Sequence, residues 1–354
     1  YSFGISSEMK CLYDLNKNID FYPPGSYSTY DIDTNKLNTY KYYNLVYPII
    51  KYDENDTIKN IKKLLNESVN KRIITDRPIG CLLSGGLDSS IIASIMNKSI
   101  ENLKTFSIGL DGSPDLYHAQ NVAKYLNTDH TTILVTEKQM LDAIDKTIYQ
   151  IESYDITTIR ASVPMFLLSE YIRDNTDIRV VLSGEGSDEA SGSYLYFHNA
   201  PDSDSFQNEC IRLLQDVQYF DVLRGDKTTA GAGLEIRVPF FDKTFMEYYM
   251  SILPDKKMVK DGMEKYLLRK AFESDLPKDV VWRRKDGFSD GVSSFDKPWY
   301  EIVEEYAQKK FNMNESVMYK YIYDKYYNGV ENIPYMWMPK WSNSKDPSNR
   351  SINL

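Results

Sequence analysis

The stretch that most constrains this chain is the heptapeptide SGGLDSS at positions 84–90, which lies between the apolar runs 79–83 and 91–96. This order predicts a buried strand, a tight glycine turn and a helix whose first turn carries hydroxyl groups. A helix start presents unpaired N–H donors and a partial positive charge, so it suits a phosphate group. The loop contains no lysine and lacks the spacing of the Walker phosphate loop. Asp88 instead indicates that a bridging metal ion offsets the phosphate charge.

The charge and cysteine content narrow the classes of protein that fit. The net charge of the 354 residues is −9, from 51 acidic and 42 basic side chains, which disfavours a nucleic-acid partner. The three cysteines (Cys11, Cys81 and Cys210) are far apart and form no C-x-x-C motif, which argues for a reducing compartment without disulfides or a zinc site. Because no signal peptide and no run of 18 apolar residues occurs, we expect a soluble, cytoplasmic protein without a membrane partner.

Strand and helix patterns alternate through the middle of the chain. The predicted fold is therefore α/β, with a mostly parallel sheet, helices on both faces and ligands at the carboxyl ends of the strands. The region 200–340 is predicted to be mostly helical. The predicted strands are 79–83, 104–110, 130–135 and 178–182, and the predicted helices are 58–72, 89–98, 116–127, 137–152 and 162–174.

The first 47 residues have a different pattern. Two strand-like stretches, 21–30 and 37–43, are joined by a polar turn, and an isolated hairpin of this kind is marginal unless it packs on something else. We predict that 1–47 is the remnant of a β domain, or leans on the main domain, and that 48–354 is the principal domain.

Several further stretches give the chain a family resemblance. SGGLDSS is typical of the PP-loop ATP pyrophosphatases, which split ATP between its α and β phosphates. The whole set, in this order, resembles the glutamine-dependent asparagine synthetases over almost all of residues 1–292, whereas 293–340 matches poorly. The matching stretches are SPDL at 113–116, YDITTIRAS at 154–162, SGEGSDE at 183–189, GLEIRVPF at 233–240, WRRK at 282–285, FSDGV at 288–292 and DPSNR at 346–350.

The resemblance implies a site for ATP and Mg²⁺. Asp88 and Asp188 are implied to bind Mg²⁺, a hard ion that prefers carboxylate and phosphate oxygens. Asp188 on its own would be interpreted equally well as a solvated loop acid. The residues implied to hold ATP are Leu83, Ser84, Gly86, Asp88, Ser89, Ser90, Ile108, Ser183 and Gly184.

The resemblance also implies residues for aspartate and for catalysis. Thr157, Thr158 and Arg160 match the segment that the family uses around aspartate, and an arginine offers a two-pronged donor to a carboxylate. Glu185 matches the acid needed for adenylate formation and for the ammonia step, and Lys285 would offset charge in the adenylation transition state. The alternatives are a surface salt bridge for Arg160, a solvent-facing acid for Glu185 and a surface lysine for Lys285.

The chain departs from the family pattern in two places. Where the family has a pair of glycines before a tyrosine, this sequence reads Ser191-Gly192-Ser193. Residues 1–47 resemble only the last strands of the family's glutaminase domain and provide no N-terminal catalytic cysteine. We therefore expect the chain as given not to hydrolyse glutamine.

The predicted function is that of an asparagine synthetase. Aspartate and MgATP would give β-aspartyl-AMP and pyrophosphate, and ammonia would then displace AMP. Ammonia would come from solution, or from glutamine if a glutaminase domain is present, and a homodimer is left open. The alternatives are a β-lactam synthetase-like PP-loop enzyme, a tRNA-modifying PP-loop enzyme, which the acidic charge disfavours, and a non-catalytic nucleotide-binding remnant.

Overall fold

The centre of the fold is a five-stranded sheet in which all neighbouring strands are parallel. The computed structural model describes residues 4–283, 291–293 and 297–342. The spatial order of the strands is β5-β4-β3-β6-β7, so the strand before SGGLDSS lies in the middle. The strands are β3 (Ile79–Leu82), β4 (Lys104–Gly109), β5 (Asp129–Leu134), β6 (Val180–Leu182) and β7 (Glu235–Arg237).

Apolar side chains project from both faces of this sheet. Cys81 and Leu182 belong to one buried cluster, and Phe106 and Val181 belong to another. Because successive side chains of a strand point to opposite faces, the alternation of Val181 and Leu182 places one cluster on each side of the sheet. The predicted α/β class, a parallel sheet with helices on both faces, is confirmed.

Helices cover the sheet and form most of the described residues after β6, as predicted for 200–340. The first cluster contains side chains of α1, α2 and α3, and the second contains side chains of α5. The helices are α1 (Glu54–Arg72), α2 (Leu87–Met96), α3 (Pro114–Leu126), α4 (Glu137–Ile151), α5 (Ile156–Asn175), α6 (Ser187–Ser191), α7 (Ser203–Asp216), α8 (Asp221–Gly231), α9 (Lys243–Met250), α10 (Pro254–Lys257), α11 (Tyr266–Phe272), α12 (Lys278–Val281), α13 (Trp299–Phe311) and α14 (Glu315–Tyr327).

Four helices begin earlier than predicted, α2 and α3 by two residues each and α1 and α5 by four and six. In the two larger cases an aspartate caps the start. Asp53 accepts a hydrogen bond from the Asp56 N–H, so α1 begins four residues before the predicted start. Asp155 caps α5, which begins at Ile156 rather than at 162. The prediction for α5 was wrong because the segment YDITTIR is polar, as a loop is, although it contains the capping aspartate and the first turn of the helix.

The N-terminal segment forms a separate hairpin and a docked turn. Strands β1 (Ser26–Asp31) and β2 (Lys36–Lys41) pair antiparallel and do not join the central sheet. Ahead of them, Met9 is buried among side chains of α4, α5, α13 and α14. The segment thus leans on the rest of the chain, while the division into domains at residue 47 stays a prediction.

Helices α13 and α14 form a hairpin that packs against α4 and α5 through buried aromatic side chains, among them Trp299, Tyr319 and Tyr323.

Within 4–283, 291–293 and 297–342, none of the helices has the length and apolarity needed to span a bilayer.

Candidate active site

The SGGLDSS segment forms the predicted turn between β3 and α2. Gly85 has a φ of +74°, and a Cβ atom there would lie 2.4 Å from the backbone nitrogen of Ala119, so only glycine fits. Gly86 precedes the first residue of α2, and the Ser84 N–H donates to the Ser89 hydroxyl over 3.2 Å. The turn is therefore fixed by close backbone packing and by its own hydroxyl groups.

The SGEGSDE segment forms a second turn after β6, in contact with the first. A Cβ atom on Gly184 would lie 2.9 Å from the carbonyl carbon of Asp88, so glycine is needed for the two turns to meet. The Ser187 hydroxyl donates to Asp88 Oδ1 over 2.7 Å. This contact brings Asp88 and Asp188 to the same end of the sheet, as the sequence predicts.

Lys265 joins these two carboxylates, and the sequence analysis missed it. Its Nζ donates to Asp88 Oδ2 over 2.5 Å and also to Asp188 Oδ1. Burial favours the neutral amine, but Asp188 and Asp88 outweigh it and raise the pKa of Lys265, which stays an ammonium. The residue also has a φ of +59°, a left-handed conformation that costs a lysine energy and that is often found at functional sites.

A cavity of about 360 Å³ opens above these groups at the carboxyl ends of the strands. Most of the predicted residues line it. Ser90 does not: its side chain is buried inside the first turn of α2. Lys285 lies outside the described residues. The predicted residues that line the cavity are Leu83, Ser84, Gly86, Asp88, Ser89, Ile108, Thr157, Thr158, Arg160, Ser183, Gly184, Glu185 and Asp188.

Glu185 has the properties of an acid–base group. Burial raises the pKa of its carboxyl to about 7, with further raising by nearby Asp221, Asp188 and Asp88. Arg224 acts in the opposite direction, with its Nη2 donating to Glu185 Oε2 over 2.6 Å. An arginine contact alone would lower the pKa, so burial and the surrounding acids dominate.

The comparison with known proteins identifies the family. A family model described as "Asparagine synthase" matches residues 60–209 and 199–344. The chain is 40% identical to "Asparagine synthetase [glutamine-hydrolyzing]" of Cricetulus griseus and of Homo sapiens, over 99% of this chain and 71% of each relative. The chain belongs to the asparagine synthase family. The identity rises to 44% with the Bos taurus protein, over 84% of this chain and 58% of the relative.

Among solved structures, an NMN synthetase from Francisella tularensis matches with a TM-score of 0.34 and 14% identity, covering 80% of this chain and 99% of that chain. This likeness is too loose to bear on the fold or the function of the asparagine synthase family member described here.

Beyond Glu185, the cavity of this asparagine synthase family member ends in a cluster of acids. The Tyr194 hydroxyl lies 2.7 Å from Glu189 Oε1 and 3.1 Å from Asp221 Oδ2. Glu189 is buried, and its Oε2 has no hydrogen-bond partner among the residues that the structure describes. Burial, with Asp221 and Asp188 nearby, raises the pKa of Glu189. The cluster favours a positively charged or hydrogen-donating ligand.

The start of α5 forms another wall of the cavity. Asp155 accepts hydrogen bonds from the Thr157 and Thr158 hydroxyls over 2.7 Å each. Both hydroxyl protons are directed to this cap, so toward a ligand these hydroxyls offer acceptor lone pairs. Arg160 is buried and forms a two-bond ion pair with Glu315 on α14, which replaces the surface salt bridge considered as an alternative.

The residues present fit a magnesium ion. Mg²⁺ bound with a nucleotide commonly takes one or two carboxylates and completes its shell with phosphate oxygens and water. Asp88 and Asp188 offer such a pair, and the ammonium group that they share shows that this point attracts a cation. No set of three or more histidine, cysteine, aspartate or glutamate side chains that could hold a metal alone occurs in the described part of the chain.

The remaining site residues left no local signal in the sequence. Lys265 lies 177 positions from Asp88, and Arg224 lies 39 positions from Glu185. Both are ordinary members of a set of 42 basic residues, and only the fold distinguishes them.

Proposed function

We propose that this chain is an ATP-dependent ligase that forms asparagine from aspartate and ammonia. A carboxylate oxygen of the aspartate side chain would attack the α-phosphorus of ATP, giving β-aspartyl-AMP and pyrophosphate. Ammonia would then displace AMP, giving asparagine. The observation that carries the proposal is that one cavity is lined by the phosphate-type turn, by Glu185 and by the Thr157–Arg160 wall.

For the first step, the site has to hold a polyanion and release pyrophosphate. Ser84, Gly86 and Ser89, at the start of α2, would contact the phosphates through hydroxyl and N–H groups. Asp88 and Asp188 would hold Mg²⁺, which when bound would offset the phosphate charge. Lys265, which donates to both carboxylates, adds a protein cation beside that ion, where negative charge moves from the attacking carboxylate to the leaving pyrophosphate.

Adenine and ribose would lie against the strand ends. Leu83, Ile108, Ser183 and Gly184 line this part of the cavity, and backbone groups there can recognise the edge of a base while apolar side chains cover its face. The predicted contribution of Lys285 stays a prediction, as does that of Ser90.

For the second step, the site has to remove a proton from the attacking nitrogen. With a pKa of about 7, Glu185 is partly ionised near neutral pH and can accept a proton from ammonium or from the attacking ammonia. Asp221 lies beside it, and the Tyr194 hydroxyl joins Asp221 to Glu189. These acids would favour the approach of a cationic or hydrogen-donating nitrogen species.

We also infer a cytoplasmic location, because Cys11, Cys81 and Cys210 are all unpaired. We also propose that the chain forms a homodimer, which sedimentation of the purified chain would test.

The test of the function is pyrophosphate release from MgATP by the purified chain, with ammonium chloride as the nitrogen source. We expect release that depends on aspartate, with asparagine formed in equal amount. Asp88→Asn should abolish the release, while Asp142→Asn, the same change on an exposed surface, should not. ATP binding without pyrophosphate release would indicate a non-catalytic remnant. Release with another carboxylate in place of aspartate would indicate a different amidating enzyme.

A further inference from the structure

Glu315, on the C-terminal helical hairpin, forms a buried ion pair with Arg160. Its Oε1 accepts from Arg160 Nε over 2.7 Å, and its Oε2 accepts from Nη2. Both side chains are at least 95% buried. Two parallel bonds between a carboxylate and one edge of a guanidinium fix both the position and the plane of that group.

The rest of the hairpin holds this pair in place. The Glu315 N–H donates to Glu304 Oε2 over 2.9 Å, which ties the start of α14 to α13. The ring of Tyr300, also on α13, lies 5.8 Å from the guanidinium carbon of Arg160. As the first residue of α14, Glu315 also places its negative charge at the positive end of a helix dipole. Arg160 is therefore held from two sides by a pair of helices that lie outside the sheet.

Only one member of this assembly reaches the candidate site. Arg160 lines the cavity, together with Thr157 and Thr158 on the preceding turn of α5, whereas Glu315, Glu304 and Tyr300 do not line it. Any effect of Glu315 on a ligand in the cavity must then pass through the guanidinium of Arg160.

We propose that Glu315 is a positioning residue for aspartate recognition. It fixes the guanidinium of Arg160 in the plane from which that group binds a carboxylate of the substrate. The assignment rests on the proposed function, because it takes the ligand beside Arg160 to be aspartate. Displacement of a charged donor by about 1 Å can change a rate about 100-fold, so the orientation of this group matters as much as its presence. The nucleotide end of the cavity, built from the two glycine turns, does not depend on this pair.

The experiment measures KM for aspartate and for MgATP separately, in the pyrophosphate assay with ammonium chloride. Glu315→Gln keeps the size of the side chain but removes its charge and one of the two acceptor contacts. We expect KM for aspartate to rise about tenfold and KM for MgATP to change less than twofold. Glu301→Gln makes the same chemical change at an exposed position of α13 and should alter neither value.

A double variant tests whether Glu315 acts through Arg160. In an Arg160→Lys background the two-pronged contact is already lost, so adding Glu315→Gln should raise KM for aspartate less than twofold further. Thermal melting of each variant shows whether it is folded. If Glu315→Gln does not fold, Glu304→Ala replaces it. This change removes the support of the Glu315 N–H and an exposed contact with Gln308, and it should shift KM for aspartate in the same direction by a smaller factor.

The outcomes separate this inference from the proposed function. An unchanged KM for aspartate in a folded variant, or equal rises for aspartate and MgATP, would overturn the role of Glu315 while leaving the ligase activity in place. Absence of aspartate-dependent pyrophosphate release from the unmodified chain would instead overturn the proposed function, and the inference with it.

Discussion

At the scale of single residues, Glu185 combines a proposed catalytic role with a cost in stability. Its pKa is about 7 in the folded chain, above the ordinary value of 4.5, because burial disfavours the carboxylate. A raised pKa means that the stability contribution of this group is complete below pH 4.5 and is lost as the pH rises through 7. At about 1.4 kcal/mol for each pH unit between the two values, the free energy of unfolding falls by at most about 3 to 4 kcal/mol.

We therefore predict that Glu185→Gln abolishes asparagine formation and stabilises the fold at neutral to basic pH. The free energy of unfolding, from urea titrations, should exceed that of the unmodified chain by up to about 3 to 4 kcal/mol at pH 8 and should nearly equal it at pH 4. A less stable variant at pH 8 would show that the contact with Arg224 outweighs the cost of burial.

Ser193 explains one departure from the family pattern. Its hydroxyl donates to Asp188 Oδ1, an interaction that a glycine could not make. Ser193→Ala should loosen Asp188 and raise KM for MgATP about fivefold, which corresponds to about 1 kcal/mol for one hydrogen bond. Ser191→Ala is the matched control, because the Ser191 hydroxyl donates to the Ser187 carbonyl rather than to a site carboxylate. Equal effects of the two changes would contradict a specific role for Ser193.

At the scale of an element, the position of α5 in the site depends on its cap. Asp155 is buried and accepts from the Thr158 N–H and from both threonine hydroxyls. It also accepts from the Trp337 N–H over 2.8 Å, which joins the start of α5 to the C-terminal segment. One carboxylate thus satisfies donors from two parts of the chain that would otherwise be buried without partners.

Asp155→Ala should lower the free energy of unfolding by about 3 kcal/mol, the sum of a lost cap and of buried donors left without a partner. Urea unfolding checks the value, and KM for aspartate should rise because Thr157 and Thr158 lose their anchor. Asp202→Ala removes the exposed cap of α7 and should cost only about 1 kcal/mol. If Asp155→Ala also lowered the free energy of unfolding by only about 1 kcal/mol, water would be replacing the buried contacts.

At the scale of the whole molecule, Glu152 connects segments from both ends of the chain. Its carboxylate accepts from the N–H groups of Met9 and Lys10 and, over 2.7 Å, from Lys227 Nζ on α8. Its carbonyl accepts from the side chain of Asn332. The N-terminal segment, α8 and the C-terminal segment are thus fixed to the end of α4 through one residue.

Lys227→Met should lower the free energy of unfolding by about 3–5 kcal/mol, because it leaves the buried carboxylate of Glu152 with less positive charge beside it. Limited proteolysis should then cut the chain before Glu54 sooner than in the unmodified protein. Lys138→Met breaks an exposed pair with Asp142 and should change stability by less than about 0.5 kcal/mol. Unchanged proteolysis in a destabilised variant would show that Met9, rather than the ion pair, holds the segment.

The sequence by itself determined the features that depend on neighbours along the chain. The apolar runs and the glycine turns gave the strand–turn–helix order, the parallel α/β class and the edge of the sheet where Asp88, Asp188 and Glu185 meet. These features are local because periodic burial and turn geometry act over a few residues. The start of α5 was missed because a capped polar first turn has the composition of a loop.

Only the tertiary structure decided which distant residues complete the site. Lys265 lies 177 positions from Asp88, one of the two carboxylates that it joins. Glu315 lies 155 positions from Arg160, with which it forms an ion pair. No local pattern distinguishes these buried side chains from the charged residues that lie on the surface. Their pairing, their burial and the pKa of Glu185 arise from the low-polarity surroundings that form when separate elements pack, and that environment does not exist along an extended chain.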